Sequence, residues 1–550
     1  MDSKSVKDVD SVVRATDQES DLLFFLDRRF ERFAARPALR REAGDGPGVE
    51  LTYRELRARI AEQAAGLRAA GVTPGTRVAL LCENRPEWVV ALLGALRAGA
   101  TVVPLDTKLG VDELTVLLGH AGPRLVITSR AHRDRAARAA GAARVVVLDD
   151  DPLLGGRDVP WQRHAADDTA LIIYTSGTTG QPKGVAITFA NLLHQVRAVG
   201  AAIGPQGRER FLSVLPLCHL YELICGLLVP LSRGATVSYP ASETLLPAEL
   251  ARIMKARRVT SLVGVPLLYR ALARGIDAEL RRASALARGV VALAGAIAAR
   301  IPVARLRRWL FAPVLRGFGG RLHQLYSGGA PLDVEIGRRF ERMGLPIFQG
   351  YGLSETSPVI ASNTPGAYRL GSVGRPLPGV DVRIAADGEI QVRGPNVMRG
   401  YVGRPDLTAA ILDGDGWLRT GDLGHVDADG FLYVTGRAKE VIVLGGGKKV
   451  YPDEVELVLA DHPGFAEVCV LGIAARNGHE EVCAVVVPAA GVADQAAAGE
   501  VARALAGIAA FKRPTRVVVR HEPIPRTTTR KAKRAALAAW ISGLDVEQAA

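Results

Sequence analysis

The residues with the clearest chemistry lie between Tyr174 and Gly184, in YTSGTTGQPKG, directly after the apolar run ALIIY. Gly177 and Gly180 let the backbone approach a ligand closely. Thr175, Ser176, Thr178 and Thr179 supply hydroxyl donors and Lys183 a cation, so the loop suits phosphate oxygens. It is not a Walker A loop, because GxxxxGK[ST] cannot be fitted to it. The bland alternative is a glycine-rich turn between two strands. Three glycines, a proline, a lysine and four Ser/Thr hydroxyls in eleven positions argue against that.

Three further polar residues suggest chemistry. Glu355, in QGYGLSET, is a lone acid among glycines and hydroxyls, fit to hold Mg2+ through one carboxylate while phosphates supply other oxygens; a surface acid or a helix cap would look the same. Asp422, in TGD, has the carboxylate needed to accept hydrogen bonds from two vicinal ribose hydroxyls, though alone it reads as a turn residue. His219 stands in the apolar segment LPLCHLYE, where a lone histidine is more often structural than catalytic.

These segments, taken in order, resemble the adenylate-forming superfamily of acyl-CoA synthetases, luciferases and adenylation domains. YTSGTTGQPKG is similar to its phosphate loop, and LPLCHLYE, YSGGAP, QGYGLSET, DGWLRTGDLG, GRAKEVIVLGGGKKVYPDEVE and PRTTTRKAKR follow in the family's sequence, across roughly residues 50 to 540. The resemblance implies roles residue by residue. Glu355 would ligate magnesium, Tyr351 would pack on adenine with Gly352 beside it in the nucleotide site, Thr356 would contact phosphate, and Gly328, Gly329 and Ala330 would border the adenine edge. Asp422 and Arg437 would hold the ribose, and His219 would border the acyl and adenylate sites. Lys439 falls at the family's domain hinge, Gly445, Gly446 and Gly447 at a tunnel for a pantetheine arm, and Lys531 at its last catalytic lysine. One departure is Arg530, where the family commonly has Gly before that lysine. The competing reading of Lys531 is one more cation at a basic helix start.

The implied reaction joins a carboxylic acid to AMP, consuming ATP with Mg2+, and passes the acyl group to coenzyme A. Lys531, Lys183 and the metal at Glu355 would meet the charge that develops at phosphorus. The segment from Leu212 to Tyr239 holds a single acid, Glu222, among many Leu, Val and Ile, so an apolar acid fits better than an amino acid. The wording SGGAPLDVEIGRRF and GYGLSETSPVI looks most like the long- and medium-chain fatty acyl-CoA synthetase branch. A rival enzyme is a fatty acyl-AMP ligase loading an acyl carrier protein. A more distant rival is a basic nucleic-acid-binding protein, but no recognition module accompanies the charge, so nucleic acid is not expected as a partner.

These residues need a frame. From Arg77 the chain reads RVALLC, RPEWVVALLGALRAG and ATVVPLD: strand, helix, strand, with RLVITS and RVVVLD continuing. Near-continuous apolar strands alternating with helices predict an α/β fold with a doubly wound parallel sheet. A second alternating series runs from FLSVLPL to LPIFQGYG. After about Ser372, short strands with glycine turns predict a β-rich subdomain, and from Arg437 a small α+β domain is expected, mobile as the resemblance at Lys439 implies. The expected division is a large domain over 1–436 and a small one over 437–550.

The 550 residues carry a formal charge of +13 and a pI near 9.7, which favours anionic partners without choosing among them. Five scattered cysteines suggest neither a disulfide framework nor a zinc site. MDSKSVKDVD is polar and no signal peptide is read, so a cytoplasmic protein is expected. The run Gly289 to Ala299 reads as a buried or interfacial helix. The stretch IPVARLRRWLFAPVLRGFGGR mixes arginines with Trp309, Phe311 and Phe318 and suits either a peripheral membrane contact or a cover over the acyl pocket.

Overall fold

The computed structural model describes residues 21–549 apart from 43–47, 152, 154, 156–163, 176–181, 205–207, 243–246, 445–447, 461, 475–479 and 527–531. Two large sheets carry the first part of the chain. In the first, strands Thr169–Thr175, Thr101–Pro104, Arg77–Leu81, Leu125–Thr128 and Arg144–Val147 lie parallel in that order. Lys183–Thr188 and Gly400–Tyr401 extend it antiparallel. The four runs read from Arg77 to Arg144 in the sequence are thus strands of one sheet. Thr101–Pro104 and Leu125–Thr128 are buried at every position, which explains why they read as unbroken apolar runs.

The second sheet has nine strands, with Ile347–Gly352, Gln324–Ser327, Ser261–Gly264, Arg210–Leu212, Thr236–Tyr239 and Pro37–Arg41 parallel in that order. Antiparallel strands finish both edges, so each sheet is mixed and not wholly parallel. Helix Pro86–Ala98 is buried along almost its whole length, in a core shared by residues of both sheets. Proline at its first turn supplies a preset φ, and Gly99 ends it in the left-handed region at φ 96°. Trp88 on this helix is 1% exposed, and Trp88→Ala would cost about 3–5 kcal/mol through the cavity it leaves.

Past Ser372 the texture changes as expected. Asp381–Ile384, Glu389–Arg393, Leu418–Val426 and Leu432–Arg437 form an antiparallel sheet. The last part of the chain has its own three-stranded sheet, Phe465–Ala474, Glu480–Pro488 and Arg516–Val519, with helices Pro452–Leu459, Asp494–Ala504 and Arg534–Ala549 and two apolar clusters of its own. The fold is α/β, a large N-terminal part built on sheets and a smaller α+β C-terminal part. Among the described residues no helix is long and apolar enough to cross a membrane.

Candidate active site

Parallel sheets present functional side chains beyond the carboxyl ends of their strands; Gly328, Glu355 and His219 follow such ends, whereas Lys183 opens an antiparallel strand and Asp422 and Arg437 lie within the antiparallel sheet. Strands Thr169–Thr175 and Lys183–Thr188 are paired so that Thr175 lies opposite Lys183. Both ends of the glycine-rich loop are therefore pinned, while Ser176, Gly177, Thr178, Thr179 and Gly180 lie outside the described residues. The Lys183 ammonium stands 5.7 Å from the centroid of the Tyr401 ring, within cation–π range. The Tyr401 hydroxyl donates to Glu355 Oε1 at 2.7 Å. Lys183, Tyr401 and Glu355 thus form a chain of cation, phenol and carboxylate. Burial, and then the Glu355 charge, raise the pKa of Tyr401, so it stays a proton donor to the carboxylate.

Glu355 follows strand Ile347–Gly352, whose Tyr351 builds a second group. Its hydroxyl donates to Asp422 Oδ2 at 2.7 Å, and Arg437 Nε lies 3.1 Å from Asp422 Oδ1. Asp422 and Arg437 face each other across neighbouring antiparallel strands, which is why residues fifteen apart meet. Asp422 is 4% exposed, and these two groups meet its two carboxylate oxygens. Burial, then Asp422, push the Tyr351 phenol well above its ordinary value. Gly352 is required by close approach: a Cβ there would fall 1.7 Å from the Pro358 carbonyl oxygen. Thr356 is buried, with its hydroxyl bonded to backbone groups of Leu353 and Pro358. In this arrangement that hydroxyl holds the turn carrying Glu355.

Gly328, Gly329 and Ala330 follow strand Gln324–Ser327. Gly329 has φ 82°, and a Cβ on Gly328 would lie 2.8 Å from the Tyr221 ring, so side chains are excluded at both for different reasons.

His219 belongs to a third group. Its Nε2 lies 3.6 Å from Asp106 Oδ2, and with the Cys218 sulfur the three donor atoms lie within 4.8 Å of one another. Asp106 follows strand Thr101–Pro104 of the first sheet, whereas His219 follows strand Arg210–Leu212 of the second, so the pair spans the two sheets. Burial opposes the Asp106 charge, but the neighbouring His219 ring and the Lys108 N–H, which donates to Oδ1 at 2.9 Å, outweigh it and lower the pKa. Asn84 clamps the same junction, donating to the Leu215 carbonyl at 2.6 Å and accepting from the Leu217 N–H at 2.9 Å.

In the C-terminal part, Lys439 is exposed on a short 3-10 turn, Ala438–Glu440. Gly445, Gly446 and Gly447 lie outside the described residues, between the paired strands Ile442–Val443 and Lys449–Val450. Lys531 lies outside them too. Its segment is bracketed by a bridge between Arg526 and Ala532. Just beyond, Arg534 meets three carboxylates, Glu440 at 2.6 Å, Glu456 at 2.8 Å and Asp453 at 2.9 Å, and donates to the Val470 carbonyl at 3.0 Å.

Residues 26–402 match the model of the AMP-binding enzyme family, and residues 454–531 match that of the AMP-binding enzyme C-terminal domain. The chain belongs to the AMP-binding enzyme family. It is 36% identical over 463 residues to a feruloyl-CoA synthase of Amycolatopsis sp, covering 81% of this chain and 85% of that one. It is 33% identical over 466 residues to the long-chain-fatty-acid–CoA ligase FadD15 of Mycobacterium bovis, covering 78% and 76%. The structure of o-succinylbenzoate CoA synthetase from Bacillus subtilis in complex with its acyl-adenylate intermediate is similar at a TM-score of 0.76 and 28% identity, covering 93% of this chain and 97% of that one.

Four contributors in this AMP-binding enzyme were missed in the sequence: Asn84, Asp106, Tyr401 and Arg534. Asp106 carried a weak signal, an acid ending the apolar run ATVVPL. Tyr401 stands 46 residues from Glu355, and nothing local in GYVGRP announces their contact.

Proposed function

We propose that this AMP-binding enzyme activates an apolar carboxylic acid with ATP and Mg2+ to an acyl-adenylate and transfers the acyl group to coenzyme A. The observation that carries the reading is a pair of polar chains, Lys183–Tyr401–Glu355, which starts at the described end of the glycine-rich loop, and Tyr351–Asp422–Arg437, which starts four residues before Glu355. The first offers a cation and a carboxylate beside a loop suited to phosphates. The second offers an aromatic face and a buried carboxylate, the groups a purine nucleoside needs.

The substrate carboxylate attacks the α-phosphorus of ATP and pyrophosphate leaves. Lys183 and Lys531 offset the negative charge that accumulates, and positioning supplies most of the remaining catalysis. Glu355 fits Mg2+, because among the described residues its carboxylate is held by a single phenol donor and keeps oxygen lone pairs for a hard cation; the metal, when bound, would neutralise charge on the phosphates. The thiol then attacks the acyl carbon and AMP departs. We place the boundary between the two domains at 436/437, with Lys439 as the hinge between half-reactions and Gly445 to Gly447 as the path of the thiol arm.

Within the acid class we favour a fatty acid, on the wording of SGGAPLDVEIGRRF and the apolar segment Leu212 to Tyr239. A second reading, an aryl acid bearing a hydroxyl, is favoured by one residue of that segment. Glu222 is fully buried, and burial pushes its carboxyl up to about 8, so at neutral pH it can donate a hydrogen bond to a polar substituent. The feruloyl-CoA synthase likeness points the same way. A panel of saturated fatty acids and hydroxylated aromatic acids, scored by AMP release with and without CoA, tests both. Acceptance of fatty acids alone supports the first reading, and acceptance of phenolic acids alone overturns it. AMP release that depends on an acyl carrier protein and ignores CoA would overturn the acceptor.

A further inference from the structure

The helix Ala285–Ala298, ALARGVVALAGAIA, buries only Ala294 and Ala298. Its large apolar side chains, Leu286, Val290, Leu293 and Ile297, recur at the spacing of one helical face, and all four are exposed, Leu286 at 80% and Leu293 at 62%. The next helix, Ala304–Leu310, packs against it and buries nothing, adding exposed Leu306 and Trp309, the latter 75% exposed. The sequence expectation is corrected in part: Trp309 faces outward, but Phe311 is buried in the core and Phe318 is half-buried against it. An amphipathic helix ordinarily turns such a stripe inward. Here the stripe faces outward.

Charge surrounds the stripe with one sign. From Leu280 to Leu332 there is no Asp or Glu, while nine arginines occupy the stretch. Neighbouring elements answer few of them: Glu279 pairs with Arg282, and Glu341 approaches Arg307 at 3.9 Å. Arg288, Arg300, Arg305, Arg316 and Arg321 are exposed and meet no carboxylate among the described residues. A two-fold contact with a second copy would set these arginines against themselves, a like-charge arrangement that costs free energy. A surface that is apolar within and negative at its rim matches both features.

We propose that the helices Ala285–Ala298 and Ala304–Leu310 form a peripheral membrane-binding face for anionic lipid, with Leu286, Val290, Leu293, Ile297, Leu306 and Trp309 entering the acyl boundary and the arginines contacting headgroup phosphates. Apolar insertion and basic attraction act together in such binding, neither being sufficient alone.

The test uses the full-length protein and its sedimentation with vesicles of phosphatidylcholine alone or phosphatidylcholine mixed with phosphatidylglycerol. Partitioning should be at least ~10-fold stronger into the anionic vesicles and should weaken with salt. Leu293→Ser with Trp309→Ser, and separately Arg305→Glu with Arg316→Glu, should each lower it by about 10-fold or more. All four side chains lie outside the candidate site and are solvent-exposed, so activity on a short water-soluble acid should be unchanged; it serves as the control for folding. Equal partitioning of parent and both variants would overturn the proposal. So would a concentration-dependent dimer, measured by sedimentation velocity without lipid, that Leu293→Ser with Trp309→Ser abolishes, since the face would then belong to a second copy.

Discussion

Replacing Glu222 by Gln should remove a pH-dependent penalty from the large domain. The Glu222 side chain is fully buried, and neither carboxyl oxygen has a hydrogen-bond partner among the described residues. Burial raises its pKa to about 8, with the nearby Ser213 hydroxyl pulling slightly the other way. In the folded state the group is therefore protonated at pH values where the unfolded chain has already released the proton. Between the ordinary carboxylate value and about 8 the folded state binds more protons, so stability falls as pH rises. The contribution is fully present below the ordinary carboxylate value and is lost as pH climbs through about 8. The slope is about 1.4 kcal/mol per pH unit, so from about pH 5.5 to about pH 7.5 the loss is roughly 3 kcal/mol. With an unfolding entropy near 2.1 cal/mol/K per residue over roughly 400 residues, that is about 3 °C in melting temperature. Calorimetric melting of parent and Glu222→Gln across a pH series isolates the effect, because every other titrating group is shared. The parent should lose about 3 °C relative to the variant over that range. A difference that does not change with pH would refute the reasoning and mean that Glu222 is ionised and satisfied in the folded protein.

Lys531→Ala should slow adenylation by about 10²- to 10³-fold while largely sparing conversion of supplied acyl-AMP to acyl-CoA, and a side chain added at Gly446 should do the reverse; pyrophosphate exchange and thioester formation, measured separately, decide between selective and equal losses. Glu355→Gln should reduce adenylation by at least ~10²-fold with the fold intact, and an unchanged response across a Mg2+ titration would remove Glu355 as the ligand. Arg534→Ala should destabilise the C-terminal part by about 3–5 kcal/mol, because it leaves Glu456, whose carboxyl burial already raises, beside Glu440 and Asp453 without their cation. Urea unfolding followed by hydrogen exchange in strands Phe465–Ala474 and Glu480–Pro488 measures it.

The legible parts of this protein were those whose signal is local. Runs such as TVVP and LVIT are buried on both faces, and that burial makes them continuous apolar strings that announce buried strands. The glycine-rich loop and the GYGLSET turn carry dense, ordered residue types, so Lys183, Tyr351 and Glu355 could be named. Contacts set by sheet order could not. Pro37–Arg41 pairs with Thr236–Tyr239 about 200 residues away, and no feature of PALRR indicates that partner. The Asp106–His219 pair exists because two separate sheets meet, so its two halves read as a strand end and a lone histidine. Of the two readings of Gly289 to Ala299, a buried or an interfacial helix, the buried one fails, since only Ala294 and Ala298 are buried: periodicity reports that an apolar face exists, not what covers it.

The most direct test of the central account is to mix the protein with ATP, Mg2+ and an accepted acid, first without CoA and then with it, and to follow products by mass spectrometry. Acyl-AMP and pyrophosphate should form in the first stage, and addition of CoA should convert the adenylate to acyl-CoA with release of AMP. Formation of ADP and phosphate, or of a thioester without any adenylate before it, would contradict the account.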